Sequence, residues 1–124
     1  MEDLLFKDEC FEIIGLCYNV HNTLGNGFHE FVYQEALEIE FRKNQIPYEK
    51  EKQYAIIYNG VCLQKQFRAD FVVFDNIILE LKAQKTTTPA NFKQTLNYLA
   101  AAHLQLGLLI NFGEKRLRFQ RVVL

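Results

Sequence analysis

From Leu4 to Leu24 the apolar side chains Phe6, Cys10, Ile13, Ile14, Cys17, Val20 and Leu24 recur at intervals of three and four. This is the period of an amphipathic helix, and the flexible Gly25-Asn26-Gly27 ends it. A second helix is predicted from about Phe28 to Lys43, with Phe31, Ala36, Leu37 and Phe41 on its apolar side and Glu35, Glu38, Arg42 and Lys43 toward water. Asn44 to Pro47 closes it, because the residue before a proline is steered out of helical geometry.

The period then falls to two. Gln53 to Tyr58 reads as a strand, Asn59-Gly60 supplies the left-handed residues of a tight hairpin turn, and Val61 to Phe67 reads as the partner strand. That partner is predicted to run on through Arg68-Ala69-Asp70 into Phe71-Val72-Val73-Phe74 and to turn at Asp75-Asn76. Ile77 to Ala83 is a nearly continuous apolar run, the mark of a strand buried on both faces. Thr88-Pro89 has the form of an N-cap followed by proline at the first helical position, and Leu96, Leu99, Ala100 and His103 carry a helix to about Leu104. Leu106 to Phe112 reads as another buried strand, Gly113-Glu114 as a turn, and Leu117 to Val123 as a closing edge strand. The order ααβββαββ predicts an α/β sandwich, a mixed sheet flanked by helices.

The length of 124 residues, with 49% hydrophobic and 23% charged residues, suits one globular domain over 1–124. A chain of this size buries enough surface to hold a core without metals or disulfides. Met1 to Glu12 carries five acids and one lysine, and charges interrupt every apolar run, so neither a secretory signal nor a membrane span is expected. Cys10, Cys17 and Cys62 form no CxxC and leave an odd thiol, which points to a reducing cytoplasm. Cys10 and Cys17, two helical turns apart, are expected on one buried helix face. The net charge of −1 is unevenly spread, with nine acids and one base in 1–40 against six acids and thirteen bases in 41–124. The basic second part permits nucleic-acid binding.

Glu80 and Lys82 do not belong in a buried strand, because burying a charge is expensive. Residues 78, 80 and 82 share one strand face, so the carboxylate and the ammonium lie side by side. Asp70 lies on the preceding strand, and the short turn makes the two strands hairpin neighbours. Two carboxylates can then converge beside one lysine. The set suits phosphodiester hydrolysis: Asp70, Glu80 and the Leu81 carbonyl offer hard oxygen ligands to Mg²⁺ or Mn²⁺, and Lys82 orients or deprotonates the water and offsets transition-state charge. An ion pair at a strand end accounts for Glu80 and Lys82 equally well. Gln94 and Tyr98 are four apart on one helix face beside Lys93 and Asn97, a pattern that an ordinary solvated face also produces. Glu30 falls in the first turn of the second helix, where the helix N-terminus favours an acid in any case.

Taken in order, Glu30, Asp70, Glu80-Leu81-Lys82 and Gln94-xxx-Tyr98 resemble the PD-(D/E)xK nuclease superfamily, and its RecB-like branch with a QxxxY helix. More narrowly, Gly27-Phe28-His29-Glu30-Phe31-Val32-Tyr33 is similar to the motif of the GxxExxY protein family. Val20 to Gly27 and Gly107 to Gly113 resemble that family's opening and closing segments. The resemblance implies a restriction-endonuclease-like αβββαβ core with an extra N-terminal helix. It implies Asp70 and Glu80 as metal-binding acids, Lys82 as the catalytic lysine and Glu30 as the acid that completes the shell around Mg²⁺ or Mn²⁺. Gln94 and Tyr98 would steady the site or contact the nucleic-acid backbone, with Lys93 beside them. Ala69 stands where the superfamily pattern has proline, a position that shapes the strand rather than carrying chemistry. His21 can approach from the first helix, though capping or packing is the commoner role of such a histidine. Lys115, Arg116, Arg118 and Arg121 can track phosphates, or simply protect an edge strand.

The leading expectation is therefore a metal-dependent nuclease acting on DNA or RNA, with DNA favoured. The alternative is a non-catalytic nucleic-acid-binding or protein-interaction module that keeps the fold. A 124-residue core has little surface for choosing a substrate, so a homo-oligomer or a separate DNA-binding partner is a third reading.

Overall fold

The computed structural model describes residues 4–124; Met1–Asp3, which begin the acidic opening stretch, lie outside the described residues. Helix α1 spans Lys7–Leu24 and α2 spans Glu30–Lys43. α1 starts later than its apolar period suggests because Phe6 is left-handed (φ 52°), and it stops at Gly25, whose φ of 77° suits only a residue without a side chain. α2 starts at Glu30 rather than Phe28 because His29 is still extended.

The strands are β1 (Tyr48–Tyr54), β2 (Ile57–Tyr58), β3 (Val61–Cys62), β4 (Phe67–Val73), β5 (Ile77–Lys82), β6 (Leu106–Asn111) and β7 (Arg118–Val123), with α3 (Pro89–Ala102) between β5 and β6. The main sheet has the order β1-β4-β5-β6-β7; only β5 and β6 pair in parallel, through the α3 crossover. β1 begins right after Pro47, earlier than the alternation predicts. Its sequence Tyr-Glu-Lys-Glu-Lys-Gln-Tyr hides it: an edge strand carries charges to discourage further pairing, so little apolar period remains.

The Asn59-Gly60 turn forms as predicted, with both residues at positive φ, but the expected Gln53–Tyr58 strand is divided: Gln53 and Tyr54 end β1, and only Ile57–Tyr58 pair with Val61–Cys62. The long partner strand does not form as one piece, for β3 ends at Cys62 and β4 begins at Phe67. Residues 63–66 are all exposed, so no core holds them in a ladder. The next turn is centred one residue earlier than predicted, on Phe74 and Asp75, both left-handed, with the Asn76 N–H donating to the Val73 carbonyl.

Two apolar layers sandwich the sheet. α1 and α2 cover one face, where Ile13, Cys17, Tyr33, Leu37 and Phe41 meet Phe71, Ile77, Leu79, Leu108 and Ile110. Cys10 and Cys17 are both buried on that side. α3 covers the other, where Tyr98 and Leu99 meet Ala69, Val72, Ile78, Leu109 and Val122. Thr88 caps α3 in a reciprocal pair with Asn91. α3 approaches β6 so closely that a Cβ on Gly107 would lie 2.9 Å from the Thr95 methyl.

Candidate active site

β4 and β5 pair regularly from Val73–Ile77 to Phe71–Leu79, and the ladder stops there. Asp70 is the next residue of β4, and beyond it the two strands are tied by side chains. The Leu81 backbone N–H donates to Asp70 Oδ2 at 2.7 Å, and the Asp70 N–H donates to Glu80 Oε1 at 3.3 Å. On the other flank Lys50 pairs with Phe71 and Lys52 with Ala69, leaving Glu51 opposite Asp70. Glu51 is left-handed (φ 54°). For a residue with a side chain this costs about 1–2 kcal/mol, and such strain gathers at functional sites.

The same place disturbs the side-chain alternation of β4. Val72 and Ala69 both face α3, while Phe71 and Val73 face α1 and α2. Asp70 instead enters the split and lines a cavity of about 160 Å³ with Glu30, Phe31, Gln34 and Leu81. Because one strand residue sends its N–H and C=O to the same side, the Leu81 carbonyl faces the split as well.

Glu80 is 3% exposed. Burial first, then the neighbouring Asp70 charge, push its carboxyl up to about 9. Burial also raises Asp70, with Glu30 adding to it against the Leu81 hydrogen bond. Each acid uses one oxygen in the bonds above, and its second oxygen takes no protein hydrogen bond among the described residues. Neither forms an ion pair within 4.0 Å among those residues. Lys82 does not pair with Glu80: its Nζ donates to Gln94 Oε1 at 3.3 Å. The simple strand-end ion pair is therefore not what these residues form.

Tyr98, one turn after Gln94, is buried against Phe67 with ring centroids 4.9 Å apart. Burial, then the Glu80 and Asp70 charges, push its hydroxyl up to about 12, so it lies within their field. Lys93 is exposed on the outer side of α3. His21 is buried elsewhere, its Nε2 2.9 Å from the Glu114 carbonyl oxygen and its ring against Phe112. The structure thus gathers Glu30, Asp70, Glu80, Leu81, Lys82, Gln94 and Tyr98 around the split and leaves His21 and Lys93 outside it. Among the described residues no three His, Cys, Asp or Glu side chains converge as a ready metal cage.

Gln34 and Asn111 escape the sequence argument, and Tyr33 enters it only as the last position of the GxxExxY motif, without a role. Gln34 donates from Nε2 to the Asp70 carbonyl at 3.4 Å and lines the cavity; its four-residue spacing from Glu30 was the available signal. Tyr33 is fully buried, donates to the Gly25 carbonyl at 2.7 Å, accepts from the Phe28 N–H and stacks on Phe112. It fixes the loop that delivers Glu30 to the first position of α2. Asn111 is fully buried and bonds both the N–H and C=O of Gln84, two residues past Lys82. Gly113 lies so close to this segment that a Cβ there would come within 2.4 Å of the Gln84 backbone.

A mixed sheet between helical layers, opening at an acid pair beside a lysine, defines an α/β protein of the restriction-endonuclease-like class. Residues 7–122 match the model of the PD-(D/E)XK nuclease superfamily, and the chain belongs to that superfamily. No curated protein matches it. The crystal structure of SSO0001 resembles the chain with a TM-score of 0.60 at 20% identity, over 95% of this chain. The chain spans 59% of that protein's length, and the likeness is one of fold.

Proposed function

We propose that this protein is a divalent-metal-dependent nuclease that hydrolyses phosphodiester bonds of DNA or RNA, DNA being favoured, and that 1–124 form its one catalytic domain. The narrower kinship is the GxxExxY family in the RecB-like, QxxxY branch. The observation that carries the reading is the pairing of half-buried Asp70 with buried Glu80. Two acids held together without a cation partner within 4.0 Å among the described residues are costly to keep ionised, unless a cation completes the set.

The donors fit Mg²⁺ or Mn²⁺: hard oxygens from Asp70, Glu80 and the Leu81 carbonyl, with Glu30 in the cavity that Asp70 and Leu81 line. A small octahedral ion needs one or two carboxylates and keeps several waters, so a cage of three acids is not required. When bound, the ion would polarise the phosphate and lower the pKa of a water. Lys82, held by Gln94, would orient the attacking water or take its proton and offset charge gathering on the phosphoryl oxygens. Tyr98, buried against Phe67, would steady the site from α3, whereas Lys93 and His21 lie outside the split and are given no part in it. Free thiols, with Cys62 exposed, suit a reducing cytoplasm. No described helix is long and apolar enough to cross a membrane.

The test is calorimetric titration of wild type and Asp70→Ala with Mn²⁺, with cleavage of single- and double-stranded DNA and RNA read in the same samples. Metal binding and cleavage lost together in the variant support the reading. A wild type that binds nucleic acid but neither metal nor cleaves would make it a non-catalytic module. That alternative draws on the backbone amides already engaging one oxygen of each acid.

A further inference from the structure

β2 and β3 form a separate two-stranded arm that stands off the main sheet. Ten consecutive residues, 57–66, are exposed. Among them are Ile57 (62%), Tyr58 (65%), Val61 (62%) and Leu63 (39%), so apolar side chains cover the arm with no core to rest on. The arm is nevertheless ordered from within: Asn59 and Gly60 take the two left-handed positions of its turn, and the Leu63 N–H donates to the Ile56 carbonyl at 2.8 Å. A well-formed ribbon that presents the Tyr58–Val61 pair on one face and Ile57 on the other to water marks a place where something docks.

Charge and position identify the occupant. From Gln53 to Ala69 the chain has two bases, Lys65 and Arg68, and no acid. Both bases are exposed, and neither joins an ion pair among the described residues. They sit at the root of the arm, while its tip is uncharged. The root is fixed to the site, since Phe67 packs edge-on against Tyr98 and Asp70 is three residues further along β4. Leu63 is seven residues from Asp70, within about 25 Å at 3.3 Å per residue. Cations that meet phosphates near the acids, followed by an aromatic and branched apolar tip, match a strand whose bases are unpaired. Paired bases hide their faces in the stack, whereas unpaired ones offer them to aromatic side chains.

We propose that the β2–β3 arm is the docking element for unpaired bases, and that the substrate is a single strand or the splayed end of a duplex. The inference rests on the nuclease reading of the neighbouring site. Tyr58 supplies the stacking face with Val61 beside it on the same face of the ribbon, and Lys65 and Arg68 hold the phosphates leading to the split.

The test is fluorescence anisotropy with the metal-free full chain and labelled oligonucleotides: single-stranded, forked and blunt duplex. Wild type is expected to bind the single-stranded and forked probes at least ten-fold more tightly than the blunt one. Tyr58→Ala should lose about ten-fold on those probes with an unchanged melting temperature, and Tyr58→Phe should restore binding. Lys65→Ala with Arg68→Ala should weaken all probes alike and flatten the salt dependence. Equal affinity of Tyr58→Ala and wild type, a preference for blunt duplex, or no binding by wild type would overturn the arm. So would an arm variant that turns a dimer into a monomer in sedimentation, since a second copy would then be the occupant. Asp70→Asn separates the two readings: it should bind as wild type does and fail to cleave. Cleavage at the wild-type rate by Asp70→Asn would sink the site assignment and leave the arm standing.

Discussion

The Asp70 carboxylate accepts a 2.7 Å hydrogen bond from the backbone N–H of Leu81, across the gap where the β4–β5 ladder has already ended. A side chain thus replaces a rung of the sheet. The acid is oriented by the strand that carries Glu80 and Lys82.

The Glu80 carboxyl is pushed up to about 9 from an ordinary 4.5. The folded chain then holds a proton that the unfolded chain releases, so metal-free stability falls as pH rises through that window. Melting temperatures of metal-free protein from pH 5 to pH 9 should decline, and Glu80→Gln should flatten the decline. At pH 8 the variant should melt at least about 4 °C higher than wild type, roughly the effect of 1 kcal/mol in a chain of this size. A wild-type curve that is flat or rising over this range contradicts the burial argument.

Saturating Mg²⁺ or Mn²⁺ should reverse that penalty. At one hundred times the dissociation constant, binding to the folded state alone adds about 2.7 kcal/mol. Differential scanning calorimetry at pH 8 should show the gain for wild type and little of it for Asp70→Ala. Equal gains in both proteins would place any bound ion elsewhere.

Lys82 has Gln94 as its hydrogen-bond partner. Gln94→Ala should leave the fold intact and reduce kcat about ten-fold with little change in KM, because it frees the lysine without removing it. Lys82→Ala should cost more, about 10²–10⁴-fold, the usual contribution of a positioned proton-transfer group. If Gln94→Ala matched wild type in kcat, the bond would be incidental to catalysis.

Tyr33→Phe removes a hydroxyl that serves both the Gly25 carbonyl and the Phe28 N–H while preserving the stack on Phe112. Urea unfolding should show a loss of about 1–3 kcal/mol, since two part-buried hydrogen bonds are removed. Activity should fall further than stability explains, because Glu30 follows the same loop. An equal loss of both would leave Tyr33 with a packing role only.

The helices, the Asn59-Gly60 turn and the capped start of α3 were legible because each is set by local periodicity or turn chemistry. Asp70, Glu80 and Lys82 stood out because charges in buried strands need a reason, and the structure gathers them at one split. That split itself was hidden. It coincides with a left-handed Glu51 opposite Asp70, with no glycine to announce it. Residues 61–74 alternate well enough to suggest one strand, yet 63–66 face no core, which periodicity cannot reveal. Asn111 was within reach, as a polar residue closing a wholly buried strand is the same anomaly that exposed Glu80.

Asn111 grips Gln84 through both its N–H and its C=O, reaches Gly113 and Glu114, and Glu114 in turn holds His21 of α1. Stiffness in this molecule is therefore lopsided. The strand end bearing Lys82 is braced on the side of β6, whereas Gly25-Asn26-Gly27 hangs on Tyr33, one 3.5 Å bond from Asn26 to Gly113 and the Gly25 N–H bond back to the His21 carbonyl. Local opening should fall on the loop in front of Glu30, and amide exchange should be faster there than at Gln84.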